Sequence, residues 1–294
     1  MVGRTTIVVP CYNEADRLDT FSLLRFANSR PEIGFLFVDD GSRDSTVDHL
    51  HLLHDAEPHR MHFLQLRENQ GKAEAVRQGM LMALGIAAPN DEAIQEATID
   101  SGRFVVDLPE SVGFWDADMA TPLDAIPEFQ RTLHRLSPIQ MVIGSRHRLL
   151  GRKIRRSTSR AILGAAFARV ASHAIGVPIR DTQCGAKLFR VNNFTRQLFA
   201  ERFMARWIFD VELFARASML LGDSHRLTES IYELPLDHWQ EVPGSKLRRS
   251  DFVRAASELA RIWWRYRRRG ARAYDPQFIV ATGSTGRSAP RAAG

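Results

Sequence analysis

Thr5-Thr6-Ile7-Val8-Val9-Pro10 and Gly34-Phe35-Leu36-Phe37-Val38-Asp39-Asp40-Gly41-Ser42 decide the fold. Each is a short β-rich run that ends at turn residues, the first at Pro10 and the second at Asp39-Asp40-Gly41. Both predict strands of a parallel sheet, buried on two faces. Between them Leu18, Phe21, Leu24 and Ala27 recur at spacings of three, which predicts an amphipathic helix over 14–27. Strand, helix, strand is a β-α-β unit, and it repeats. Residues 44–53 predict a helix, 61–66 a third strand, and 71–87 a helix that opens at a glycine. Phe114-Trp115 then runs into Asp116-Ala117-Asp118, a strand whose carboxyl end carries two acids. Such alternation predicts an α/β protein with a mostly parallel, Rossmann-like central sheet flanked by helices, and ligands bound at the strands' carboxyl ends.

Outward from this core the rhythm is looser. Residues 88–110 interrupt it with Pro89, Asn90, Asp91 and Glu92 and read as a surface insertion. Beyond Leu123 the pattern predicts a helix, a strand over 141–144, a basic loop and a helix over 157–175. A turn over 181–189, a helix over 207–221 and a strand over 230–237 follow. The domain therefore spans 1–245, with a basic amphipathic helix in 246–273 and a disordered tail, 274–294, rich in Gly, Ser, Ala and Pro.

Composition excludes several classes. Of 294 residues, 44% are hydrophobic and 25% charged, an ordinary globular balance that rules out a fibrous or wholly disordered chain. Cys11 and Cys184 cannot make a disulfide scaffold and read as buried thiols in a reducing compartment. The opening apolar run, Ile7 to Val9, is too short for a signal peptide, and no window approaches the ~20 apolar residues of a spanning helix. The expected location is the cytoplasm, with any membrane contact peripheral.

The net charge of +6 is unevenly placed. Ten Lys/Arg lie between Lys246 and Arg272 against two acids, Asp251 and Glu258. A second island holds seven between Arg146 and Arg160, with no acid from Ser145 to Arg180. Such islands are either solvated faces or sites for the phosphates of nucleic acid, lipid or nucleotide. Nucleic acid is the poorest of these partners, because no base-reading module is recognisable and an acidic crevice would repel it. That crevice is predicted by Asp39, Asp40, Asp116 and Asp118, all at strand carboxyl ends. Carboxylates crowded there repel unless a cation sits among them. A divalent ion with oxygen ligands, Mg²⁺ or Mn²⁺, is the natural partner and would in turn hold a diphosphate. The alternative is that individual acids cap the helices that follow.

The order and spacing of four motifs resemble the family 2 GT-A glycosyltransferases: Val9-Pro10-Cys11-Tyr12-Asn13-Glu14, Val38-Asp39-Asp40-Gly41-Ser42 with Asp44 and Thr46, Asn69-Gln70-Gly71-Lys72, and Trp115-Asp116-Ala117-Asp118. Downstream, Gly144-Ser145-Arg146, Arg180 to Phe189, Trp207 to Leu213 and Gly244-Ser245-Lys246-Leu247 resemble the polyprenyl-phosphate branch. Dolichyl-phosphate β-glucosyltransferases are the nearest group in motif, with dolichyl-phosphate mannose synthases next. The resemblance covers residues 4–270 and implies an inverting transfer of a hexose, glucose from UDP-glucose first and mannose from GDP-mannose second, to a polyprenyl phosphate or, failing that, a soluble acceptor.

The resemblance also implies roles. Pro10, Tyr12, Asn13 and Glu14 line the nucleoside pocket, where Asp39 accepts a hydrogen bond from base or ribose. Asp40 and Ala117 belong to the same nucleotide-sugar site. Lys72, at a helix start, and Lys246 meet the diphosphate, with Arg146 across the crevice. Asp118 and Asp116 hold the metal, although mannose synthases carry a further ligand where Ala120 stands here. Mannose synthases also have an arginine at the position of Gln240, which favours the glucosyl-type relatives. Arg156 and Arg160 grip the acceptor phosphate. A base is required only for a hydroxyl acceptor; Asp210 is then expected to serve, with Asp181 competing, while capping or ion pairing is the structural alternative for both. In the last helix Phe252, Ala255, Leu259, Ile262 and Tyr266 fall on one stripe among arginines, the pattern of a helix lying on a membrane surface or packed on the domain.

Overall fold

The computed structural model describes residues 4–86, 94–98, 108–222, 224–242 and 249–269. Strands β1 (Thr5–Cys11), β2 (Ile33–Asp39) and β3 (Met61–Leu66) pair in parallel through helices α1 (Thr20–Ser29) and α2 (Thr46–Ala56). Helix α3 (Lys72–Ala83) follows β3, and β5 (Ser111–Phe114) pairs parallel to β1 on its other side. Ile7, Val8, Val9, Leu36 and Val38 are fully buried, as two-sided coverage by helices requires.

Residues Ile94–Ala97 of the insertion form β4, antiparallel on the edge of β3, where Leu64 faces Ala97. The insertion is thus partly sheet rather than surface loop, and its strand covers an edge that would otherwise be open. Residues 88–93 and 99–107 of it fall outside the described residues.

The second half completes an eight-stranded sheet in the order β4-β3-β2-β1-β5-β8-β6-β9. A 3-10 turn (Leu123–Ala125) and α4 (Ile126–Arg135) lead to β6 (Met141–Ser145), and β7 (Lys153–Arg155) precedes α5 (Thr158–Ile175). Next come β8 (Lys187–Arg190), α6 (Asn193–Ala200), α7 (Phe209–Leu221), α8 (Ser224–Ser230), β9 (Ile231–Pro235), β10 (His238–Gln240) and α9 (Arg249–Arg269). The span 181–189, expected as a turn, ends in β8, which runs antiparallel between β5 and β6 with Lys187 facing both Phe114 and Ile143. This inversion has a functional consequence. The amino end of β8 lies at the carboxyl ends of its neighbours, so the Asp181 to Lys187 segment is delivered into the crevice.

Helix α1 corrects another expectation. Asp19 accepts from Ser22 N–H at 2.9 Å and starts the helix at Thr20, so the buried residues are Leu23, Phe26 and Ala27 while Phe21 is 73% exposed. The cap, rather than the apolar spacing from Leu18, sets the phase. Helix α9 packs Ala255, Leu259 and Ile262 against Ala171 of α5 and Val211 and Ala215 of α7. Its apolar stripe is therefore spent inside the protein. Cys11 and Cys184 are free and buried, as expected.

Candidate active site

The crevice begins where β1 and β2 end in register, with Cys11 opposite Asp39. Asn13 adopts a left-handed conformation (φ 51°), which Asn tolerates better than most residues, and ties the two strand ends together. Its N–H donates to Ser42 Oγ at 2.9 Å and its Oδ1 accepts from Arg43 N–H at 2.8 Å. Glu14 N–H donates to Thr46 Oγ1 at 2.8 Å. Asp39 is completely buried; one oxygen accepts from Ser42 N–H at 3.1 Å, and the other, Oδ1, has no hydrogen-bond partner among the described residues. Burial pushes its pKa up. An acceptor left unpaired in a buried position is costly and is an opening for a ligand's donor.

Asp40 points elsewhere. Its two oxygens accept from Gln70 N–H at 2.7 Å and Gly71 N–H at 2.8 Å, so it clamps the turn that launches α3. Gly71 has φ 96°, a conformation that favours glycine. Arg206 braces the same turn through Gln70 O at 2.8 Å. Burial raises the Asp40 pKa to about 6 despite these bonds. Above that pH the ionised carboxylate accepts both N–H groups; below it, the proton takes up acceptor capacity and the turn carrying Lys72 loosens. Activity is expected to fall on the acid side with a limb near pH 6, and Asp40→Asn to be less active at every pH without that limb, as read from kcat/KM profiles.

At the centre, Lys72 Nζ donates to Asp116 at 2.5 Å. Desolvation opposes the charge on Lys72, but Asp116, Asp210 and Asp118 outweigh it and raise its pKa. Burial alone would raise the pKa of Asp116, yet Lys72, Lys187 and Arg146 hold it low. A Cβ at Gly185 would stand 1.7 Å from Asp116 Oδ2, so the carboxylate fits only because residue 185 has no side chain. Asp118 differs: burial first and the charge of Asp116 second raise its pKa. It accepts from Ala120 N–H at 3.1 Å in a loop stiffened by Trp115, whose Nε1–H donates to Thr121 O at 2.8 Å. Met119, between the two, is held at φ 49°, a strained value for this residue.

The far wall is built by cations locked to acids. Arg146 donates to Asp181 through its backbone N–H (2.9 Å), Nε (2.8 Å) and Nη2 (2.7 Å), and its guanidinium lies 5.4 Å from the centre of the Trp239 ring. Against the effect of burial, Arg146 lowers the Asp181 pKa to about 2. Glu233 accepts from the N–H groups of Arg180 and Asp181, both at 2.9 Å, and so fixes that turn. Lys187 is fully buried and donates to Asp210 and to Cys184 O, each at 2.6 Å. Asp210, in the first turn of α7, is 5% exposed. Both acids expected as bases are thus held in ion pairs.

Arg156 reaches over α5, where a Cβ on Gly164 would meet its Nη2 at 2.5 Å, and its charge contributes to the low pKa of Asp181. The Arg160 side chain and the whole of Lys246 fall outside the described residues. Strand β10 passes beside the loop that carries Asp118, with Gln240 N–H donating to Ala120 O at 3.2 Å.

The donor set suits a hard divalent cation. No group of three His, Cys, Asp or Glu side chains is gathered among the described residues. An ion of the Mg²⁺ type needs no such cage, since one or two carboxylates plus ligand phosphates and waters suffice. Asp118, with its charge disfavoured by burial and by Asp116, is the carboxylate such an ion would relieve.

Sequence reasoning missed Gly185, Lys187, Arg206 and Glu233. Glu258 was noted only as a charge; from α9 it accepts from the N–H groups of Arg206, Trp207 and Ile208 at 3.1 Å each. A signal existed for Lys187, since a lysine in a β-rich run between Ala186 and Leu188 is costly to bury unless paired.

The family pattern described as Glycosyl transferase family 2 matches residues 6–86. The chain is 31% identical over 270 residues to a dolichyl-phosphate beta-glucosyltransferase of Trichomonas vaginalis, covering 88% of this chain and 70% of that protein. It is 32% identical over 278 residues to the dolichyl-phosphate beta-glucosyltransferase of Drosophila melanogaster, covering 89% and 74%. Among solved structures, glucosyl-3-phosphoglycerate synthase from Mycobacterium tuberculosis in complex with Mn²⁺, UDP and glucosyl-3-phosphoglycerate shares the fold, with a TM-score of 0.57 at 15% identity over 90% of this chain and 80% of that one. The mannosyltransferase PcManGT from Pyrobaculum calidifontis in complex with GDP-Man and Mn²⁺ has a TM-score of 0.54 at 17% identity, over 91% and 65%.

Proposed function

The chain belongs to glycosyl transferase family 2, among the dolichyl-phosphate beta-glucosyltransferases, and on that premise we propose that it moves glucose from UDP-glucose onto a polyprenyl phosphate of the dolichyl type. The nucleoside lies between Tyr12 and Asp39, whose unpaired Oδ1 accepts from the uracil or ribose. Lys72 and, from outside the described residues, Lys246 face the diphosphate. Asp118, with Asp116 beside it, would hold Mg²⁺ or Mn²⁺, which would supply neutralisation of the leaving diphosphate. An acceptor phosphate oxygen forms the new bond to C1 as the bond from C1 to the diphosphate breaks, and the electron pair leaves with UDP. A single displacement inverts the α-linked donor to a β-linked product.

One observation supports a phosphate acceptor over a hydroxyl. The two acids placed to serve as a base, Asp181 and Asp210, are paired with Arg146 and Lys187. A phosphate monoester is already anionic and needs no base. Arg156 and Arg160 are the groups proposed to meet it. Contact with a membrane through α9 rests on Trp263 and Trp264, which are 39% and 55% exposed among its arginines.

The test is transfer by purified protein with Mg²⁺ or Mn²⁺, a panel of UDP- and GDP-sugars and a short-chain polyprenyl phosphate, read by mass spectrometry of the lipid. A hexosyl phospholipid from UDP-glucose is the expected product. Product from GDP-mannose alone would move the donor assignment, and donor turnover that glycosylates only soluble hydroxyls would overturn the acceptor.

A further inference from the structure

The described helices include none long and apolar enough to cross a membrane. An exposed apolar face lies outside the crevice. Leu150, in the turn before β7, is wholly exposed, and Leu149 beside it is 50% exposed. In α5, Ile162, Leu163 and Val170 are 65%, 50% and 58% exposed, whereas Ala168 and Ala171 on the opposite side are buried. Positions 162, 166 and 170 repeat every four residues, so these side chains form one outward stripe. Single exposed apolar residues are ordinary; a stripe along an 18-residue helix joined to an exposed Leu-Leu turn is not.

From this we propose that the 148–151 turn and the outward stripe of α5 are the face by which the protein lies on an anionic lipid surface, an inference that rests on the lipid-acceptor reading and deepens it. Charge selects the occupant. No acid occurs between Ser145 and Arg180, and Lys153, Arg155 and Arg169 are exposed in this span. A second copy of the chain docked symmetrically would set cations against cations. Lipid phosphates provide the opposite charge, and an interfacial helix combines an apolar face with such cations. The face also meets the crevice: Arg156, over Gly164 of α5, acts electrostatically on Asp181, which holds Arg146.

Co-sedimentation with phosphatidylcholine vesicles, with and without about 30% phosphatidylserine, tests the face in a charge-dependent way. The full chain is expected to bind the anionic vesicles and to be released by about 0.5 M salt, where the screening length is only a few ångströms. Leu149→Ser/Leu150→Ser and Ile162→Ser/Leu163→Ser are each expected to lower the partition coefficient by about tenfold or more, because each removes two inserted side chains. Both variants should keep full transfer to a water-soluble, short-chain polyprenyl phosphate, which shows that they are folded. Unchanged partition of both variants would overturn the proposal. So would gel filtration in which the wild type is a dimer and the serine variants are monomers. Vesicle binding lost in the variants, without lipid glycosylation by the wild type, would leave the docking face standing and remove the acceptor reading instead.

Discussion

Asp118→Asn is expected to reduce kcat/KM for glucosyl transfer by about a thousandfold, roughly 4 kcal/mol of transition-state stabilisation, while the protein becomes no less stable. The two halves of this result have one cause. Asp118 stands beside Asp116 in a partly buried crevice, and both circumstances raise its pKa. Without a divalent ion its negative charge is unfavourable in the folded state, and that cost is relieved when the group is protonated or replaced by the neutral amide. The melting temperature of metal-free Asp118→Asn should therefore equal or exceed that of the wild type. Adding Mn²⁺ with UDP should raise the melting temperature of the wild type by mass action and leave the variant unmoved. A residue whose ionised form strains the resting protein, yet is needed for turnover, marks a site selected for function rather than stability. If Asp118→Asn loses stability and keeps transfer, its carboxylate is a structural cap and the metal assignment fails.

The half of this site built on β1, β2, α3 and β5 was legible because each element is local in sequence. Runs such as Ile7 to Val9 and Phe35 to Val38 are buried on both faces, and the acids after them must then lie at one end of a parallel sheet. The second half was not legible for the opposite reason. Nothing in Lys187-Leu188-Phe189-Arg190 says which way the strand runs, and an antiparallel insertion between β5 and β6 is decided by tertiary pairing. Direction alone brings Asp181, Gly185 and Lys187 to the crevice. Asp40 shows a further limit: spacing places it beside Asp39, but only the fold shows that its oxygens are spent on Gln70 and Gly71. Amphipathic patterning has the same weakness. An apolar residue in a helix does not announce whether it is covered: Ile262 of α9 is 1% exposed and Ile162 of α5 is 65% exposed.

Lys187→Met is expected to cost about 3–5 kcal/mol of stability, because it strips the cation from a buried carboxylate without giving Asp210 any way out to water. For a chain of 294 residues that is a fall in melting temperature of roughly 5–8 °C. Lys187 is wholly buried, lies 5.2 and 5.8 Å from the ring centres of Phe114 and Phe214, and donates to Asp210 at 2.6 Å. Methionine fills most of its volume and packs against the same rings, so charge rather than cavity dominates the loss. Asp210→Asn in the Lys187→Met background should recover a large part of the stability, since the pair destabilises most when only one member is removed. This double variant also decides what Asp210 does. If Asp210 only partners Lys187, transfer to a polyprenyl phosphate returns to within about tenfold of the wild type once the fold is restored. If Asp210 removes a proton from the acceptor, the stable double variant stays inactive, with a loss of about a hundredfold or more. The ion pair, and an acceptor that arrives already charged, predict the first result.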